Sequence, residues 1–287
     1  MKHAILITAY KDLDFIELII KQFDNDFDFY IHIDKKCREN HDFLLHDERV
    51  HVYKRFKVFW GGLNHCKAIL LLMSEAVLKS NCDYFHLITG SDFPVKPLSE
   101  FKRFFEQNAG GNFMEIFKIP RQNWGSDGGM RRLRLYWFGV DQCDMRRKFG
   151  GQFQRYSGKI QRKILHIERK FNFFDGKIWG GGTYWSLTRK AVETALNYLK
   201  ENPDYLKRFY FTAIPEEILL PNILMHHPQV NITNNSLRYI DWSNPLKPKI
   251  LTECDFDGIK KSDCFFARKF DKTKSKKLMD IILNNIL

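Results

Sequence analysis

The sequence predicts an α/β fold, a single domain whose mostly parallel central sheet is flanked by helices. Strand-like runs alternate with helix-period segments over the first ~115 residues, the pattern of βα units around a parallel sheet. The composition, 44% hydrophobic and 28% charged over 287 residues, is that of a globular chain with a substantial core. No internal repeat, low-complexity tract or linker divides the chain, so 1–287 reads as one continuous domain.

The elements follow in order. The apolar run from His3 to Tyr10 reads as a first buried strand, and Asp14 to Phe23 as an amphipathic helix. Asp28 to Ile33 is a second strand, ending in His32-Ile33-Asp34, and Arg49 to Tyr53 a short third one. Leu63 to Leu78 is a strongly apolar helix entered from Trp60-Gly61-Gly62. Tyr84 to Ile88 is a fourth strand, closed by Thr89-Gly90-Ser91-Asp92-Phe93-Pro94. Leu98 to Gln107 reads as helix and Phe113 to Phe117 as strand. Parallel sheets bind ligands at the carboxyl ends of their strands, where Asp34, Trp60-Gly61-Gly62 and Asp92 fall.

From Pro120 to Lys177 the pattern is irregular and rich in Arg, Gly and aromatics, fitting either a mobile substrate-facing insertion or a basic helix pair around Gln152 to Phe171. The run Trp179-Gly180-Gly181-Gly182-Thr183-Tyr184-Trp185 lacks the spacing and lysine of a P-loop. Its glycines suit close backbone approach instead. A helix from Arg189 to Leu199 follows. Pro215 then suits the first position of a helix, with Glu216 and Glu217 in its first turn; helix-start chemistry alone would explain that triplet. Leu237 to Trp242 reads as strand. The chain ends with Phe265-Phe266-Ala267-Arg268-Lys269-Phe270 and a basic helix that either closes over a ligand or packs on the sheet.

The formal charge of +12 asks for an anionic partner, but no nucleic-acid-binding motif accompanies the basic clusters. Six cysteines without CxxC spacing read as free thiols. No apolar run reaches the ~18–20 residues of a membrane span. The first residues lead straight into an acidic segment without a small-residue cleavage site, so no signal peptide is read there.

The order of motifs is more specific than any one of them. Thr-Ala-Tyr-Lys, His-Ile-Asp, Trp-Gly-Gly, Gly-Ser-Asp-Phe-Pro, the glycine-rich Tyr-Trp segment, Pro-Glu-Glu, Leu-Arg-Tyr-Ile-Asp-Trp and Phe-Ala-Arg-Lys-Phe succeed one another from Ala4 to Phe270. This series resembles the core-2/I-branching glycosyltransferases, a family that also holds the peptide xylosyltransferases. The resemblance implies a GT-A-type fold, with residues 1–117 binding the nucleotide-sugar and 118–287 supplying the acceptor-binding and catalytic half. It implies inverting transfer from a UDP-sugar, N-acetylglucosamine as the leading donor and xylose or another sugar as the alternative, with no cofactor and no divalent metal.

The same resemblance assigns residues. Glu217 is the expected general base, which an inverting transfer needs to deprotonate the acceptor hydroxyl; Glu216 is left to capping or support. Arg238 and Lys269 are expected on the diphosphate, where positive charge stabilises the leaving group. Thr8, Asp34, Trp60 and Asp92 complete the expected donor site. The Trp60 indole either stacks on uracil or packs in the core. Asp92 is one carboxylate where metal-dependent GT-A enzymes carry two, so it either orients the donor sugar or caps its turn. Glu115 and Arg131 match acceptor-contacting residues, and Trp185 is one of several aromatics, with Trp124, Tyr136, Trp137 and Tyr184, able to stack on a sugar.

Animal members carry a membrane anchor and disulfides. This chain looks like a cytoplasmic, bacterial-type version acting on a glycan or lipid-linked glycan at the inner face of an anionic membrane. On that expectation, neutralising Arg162, Lys163, Arg169 and Lys170 abolishes liposome binding. Two readings from other classes remain: a polyanion-binding protein without catalysis, marked by salt-sensitive binding and indifference to UDP, and a lectin-like module that binds sugar without transfer. A paired-carboxylate hydrolase is disfavoured, because adjacent glutamates do not face one another across a bond.

Overall fold

The computed structural model describes residues 1–122, 124–125, 127–244 and 247–287. Four parallel strands form half of the central sheet: β1 (His3–Ala9), β2 (Phe27–Ile33), β3 (Val50–Tyr53) and β4 (Tyr84–Thr89), in the spatial order β3-β2-β1-β4. Helices α1 (Leu13–Ile20) and α2 (Leu63–Lys79) lie on the crossovers between them. A short β5 (Asp92–Pro94) precedes α3 (Leu98–Gln107) and β6 (Asn112–Ile119). After α4 (Arg131–Arg134) and α5 (Lys148–Lys163), β7 (Ile178–Thr188) runs antiparallel between β4 and β6. Helices α6 (Arg189–Glu201), α7 (Pro203–Arg208) and α8 (Leu219–Met225) follow. β8 (Ile232–Asn234) then closes the far edge beside β6. β9 (Arg238–Ile240), α9 (Phe256–Lys261), β10 (Phe266–Arg268) and α10 (Lys276–Asn285) end the chain, with β5, β10 and β9 forming a second, three-stranded sheet.

Strand side chains alternate between faces, and both faces of this sheet are buried. On β1, Ile5 and Ile7 pack with Ile16, Phe101, Phe105 and Leu278 on one side. Ala4 and Leu6 pack with Leu72, Met73, Val192 and Ile223 on the other. This double burial is why the first strand reads as an uninterrupted apolar run.

The α/β class and the largely parallel sheet flanked by helices are as expected. Because β7 is inserted between β4 and β6, residues on either side of position 117 share one sheet. Two local expectations change. The segment expected to form a helix pair yields one helix, α5, followed by irregular chain. The Pro215 element is a single 3-10 turn, Pro215–Glu217, separated from α8 by the non-helical backbone of Ile218. The glycine run lies inside β7: a Cβ on Gly181 would stand 2.2 Å from the Glu115 carbonyl oxygen, so only glycine lets β7 press against β6 there.

Candidate active site

The 3-10 turn is held against the sheet at its entry, where Ile214, in the left-handed region, donates its N–H to the Gly61 carbonyl at 2.8 Å. Successive residues of a 3-10 helix point about 120° apart, so Glu216 and Glu217 diverge. Glu216 Oε1 lies 2.9 Å from His65 Nδ1, and His65 Nε2 lies 3.2 Å from Thr8 Oγ1. A carboxylate only accepts, so His65 carries its hydrogen on Nδ1 and turns Nε2 to the Thr8 hydroxyl. Glu217 points the other way and forms an ion pair with Arg132, whose guanidinium also lies 3.8 Å from the centre of the Trp124 ring. Burial raises the pKa of Glu217; the Arg132 charge pulls it down, Glu216 and Glu115 push it up again, and the net direction is up. Its side chain nonetheless stays 25% exposed. The turn therefore presents one reachable carboxylate with raised basicity, which is what proton abstraction from a hydroxyl requires.

Cations gather at the ends of β1 and β10. Burial lowers the pKa of Lys269, followed by the charges of Arg268, Lys11 and Arg146, with Asp271 acting in the opposite sense. Arg268 lies 4.3 Å from the Tyr184 ring centre, its Nε 3.5 Å from Asp92 Oδ1, and its buried Nε and Nη1 have no hydrogen-bond acceptor among the described residues. Arg146 pairs with Asp144 and lies 5.4 Å from the ring centre of Trp60, which is 44% exposed. Asp34 is buried and held by Lys36 Nζ at 2.7 Å and by the N–H groups of Lys36 and Val58. Asp92 is also buried. Its Oδ2 accepts from the Thr89 N–H and hydroxyl, which closes the turn as the capping alternative foresaw. Among the described residues, no group of three or more His, Cys, Asp or Glu side chains is placed to hold a metal ion.

Three expected positions are corrected. Arg238 is buried and donates to the carbonyls of Ser236, Leu87 and Trp185 and to the Ser186 hydroxyl, so gripping a diphosphate would strip the sheet of those bonds. Arg238 has only its Nε left unpaired among the described residues, whereas Arg268, on the neighbouring strand β10, has both Nε and Nη1. Trp185 is 2% exposed and packs in the apolar core between β4 and α2, out of an acceptor's reach; its neighbour Tyr184 faces Arg268. Arg131 turns toward α5, where its Nη2 approaches Gly158, while Arg132 reaches Glu217. Glu115 is exposed and pairs with Arg121 at 3.0 Å, close enough to act electrostatically on Glu217. Asp34 follows the end of β2 as the sequence suggested, Thr8 and Lys269 lie at the ends of β1 and β10, and Trp60 lies in the loop between β3 and α2. His65, Arg132, Arg146 and Arg268 were not singled out by sequence; only Arg268, inside the Phe-Ala-Arg-Lys-Phe motif, had a signal that could have found it.

The family model described as "Branch: Core-2/I-Branching enzyme" matches residues 4–260. The chain belongs to the core-2/I-branching family of glycosyltransferases. Among related sequences, xylosyltransferase 2 from Mus musculus is 24% identical over 88% of this chain and 30% of its own length. Xylosyltransferase oxt from Drosophila melanogaster is 34% identical over 85% of this chain and 28% of its own. The chain thus spans roughly a third of the length of these curated relatives. The crystal structure of mouse xyloside xylosyltransferase 1, in its apo form, aligns with 95% of this chain and 98% of its own at 12% identity and a TM-score of 0.39, too slight a likeness to reason from.

Proposed function

We propose that this core-2/I-branching domain transfers a sugar from a UDP-sugar to a hydroxyl of a glycan with inversion and without a divalent metal. The observation that carries the reading is the partly exposed, raised-pKa carboxylate of Glu217, accompanied by a cation cluster of Lys269, Arg268, Lys11 and Arg146. In the reaction, Glu217 accepts the proton of the acceptor hydroxyl as its oxygen attacks the anomeric carbon. The bond from that carbon to the diphosphate breaks with its electron pair leaving on UDP. Lys269 and Arg268 stabilise the departing charge, Arg268 taking the role the sequence gave to Arg238. Asp92, closed onto Thr89 and facing Arg268, positions that arginine, and a cation cluster of this kind replaces what a metal would supply.

On the donor sugar, the relatives favour xylose over the N-acetylglucosamine suggested by the motif order, because those compared are xylosyltransferases. The test is UDP release from UDP-xylose and UDP-N-acetylglucosamine, in EDTA and in manganese, for the wild type and Glu217→Gln. Turnover in EDTA, lost in the variant while UDP still binds, supports the reading. Turnover that requires manganese overturns the metal-free part, and absence of UDP binding overturns the whole.

A further inference from the structure

Helix α5 is built inside out. Its buried face is Gly150, Gln154, Gly158 and Gln161. The two glutamines bond the chain beneath: Gln161 donates to the Tyr136 carbonyl and accepts from the Tyr136 N–H, both at 2.8 Å, and Gln154 donates to the Phe138 carbonyl. Its apolar residues point outward instead: Phe149 (78% exposed), Phe153, Tyr156 (64%) and Ile160, continued by Ile164 (68%) just past the helix end. At 100° per residue these five fall within an arc of about 80°. An apolar stripe that the fold holds away from its own core needs an outside partner.

We propose that this face of α5 seats the protein on an anionic lipid bilayer, lying in the interface with the aromatic stripe in the headgroup and acyl boundary. The charge pattern selects that partner. Lys148, Arg155, Lys159, Arg162 and Lys163 are all exposed on the arc that runs from one edge of the stripe round to the buried face, the helix carries no Asp or Glu, and the chain has a net charge of +12. Apolar residues flanked by cations are what an interfacial helix uses on a negatively charged leaflet. Among the described residues, no helix is long and apolar enough to cross a membrane, so this is contact with the surface. One residue of the sequence expectation drops out: Arg169 donates to the carbonyls of Leu135, Phe211, Arg208 and Tyr210 and serves the fold. The inference stands apart from the transfer chemistry. The two meet in geometry, since α5 packs on the segment that carries Arg131 and Arg132.

Flotation of the full chain with phosphatidylcholine vesicles, with and without phosphatidylglycerol, tests it. The wild type should float with the anionic vesicles only. Phe149→Ser with Phe153→Ser should weaken binding about tenfold or more, and each cation of α5 changed to Gln by about fivefold. These positions are exposed, so an unchanged thermal melt verifies folding. Absence of binding, equal binding to neutral vesicles, or binding indifferent to the serine pair overturns the proposal. So does a wild-type dimer in sedimentation velocity that the serine pair dissociates, which would make a second copy the occupant.

Discussion

Replacing Arg132 by Met tests how the basicity of Glu217 is set, because Met keeps much of the volume over Trp124 and removes only the charge. Two charges in contact in a medium of effective dielectric ~20 attract by about 4 kcal/mol, which is a ceiling. Arg132 and Glu217 side chains are 18% and 25% exposed, so solvent screens part of that. About 1.5–3 kcal/mol remains, a factor of roughly 10–100 in an equilibrium constant. Without Arg132, the terms left on Glu217 are burial and the repulsion of Glu216 and Glu115, all of which raise its pKa. The acid limb of kcat/KM for UDP release should therefore move upward. On that limb the loss is about 10–100-fold, and it is recovered on the alkaline plateau; Arg132→Lys should restore part of the shift. A limb that stays in place, or a loss equal at every pH, would refute the reasoning and leave Arg132 a packing residue.

The other expectations separate chemistry from scaffold. Lys269→Met should lower kcat by roughly 10²–10³ with little change in the thermal midpoint, read by steady-state kinetics and calorimetry on the same sample. Arg238→Met should do the reverse, destabilising by about 3–5 kcal/mol in urea, since three carbonyls and a hydroxyl lose their donor; a stable variant with a purely kinetic defect would restore Arg238 to the donor site. His32 is buried, its Nε2 accepts from the Phe56 N–H at 3.1 Å, and burial lowers its pKa from 6.5 to about 4. The unfolded chain thus takes up that proton first. The stability His32 contributes is fully present above pH ~6.5 and falls away toward pH 4, by about 3 kcal/mol at most. Urea midpoints should decline across that window and decline less in His32→Gln.

The parts of the fold that were legible are those whose signal is local. Helix Leu98–Gln107 matches its sequence reading to the residue, and the parallel strands β1, β2 and β4 read clearly because burial on both faces makes them apolar throughout. β7 hid behind three glycines, whose low strand propensity is overridden by a close approach visible only with β6 in place. β5, β8 and β10 have three residues each and owe their existence to partners distant in sequence, so no period announces them. In the site, the Pro-Glu-Glu motif marked the turn, but Arg131 and Arg132 are chemically identical neighbours. Only the rotation of the one-turn helix α4 decides which reaches Glu217. Arg238 and Arg268 pose the same problem across two adjacent strands: the register puts both on one face, and they differ only in lying at opposite ends of the pair, Arg238 at the start of β9 and Arg268 at the end of β10.

The adjacent glutamates illustrate how neighbours with the same side chain acquire different tasks. Glu216 is anchored: its Oε1 meets His65, and its Oε2 is buried without a partner beside a small apolar cavity of about 10 Å³ lined by Cys66, Ile69 and Leu219. Through His65 it is joined to Thr8, near the carboxyl end of β1, where the cation cluster begins with Lys11. One hydrogen-bonded line therefore ties the carboxyl end of β1 to the turn that carries Glu217. Glu216 also acts electrostatically, since its charge, like that of Glu115, raises the pKa of Glu217 while Arg132 lowers it. The strength of the base is thus a balance of burial and three neighbouring charges, and the fold holds two of those charges on elements other than the turn.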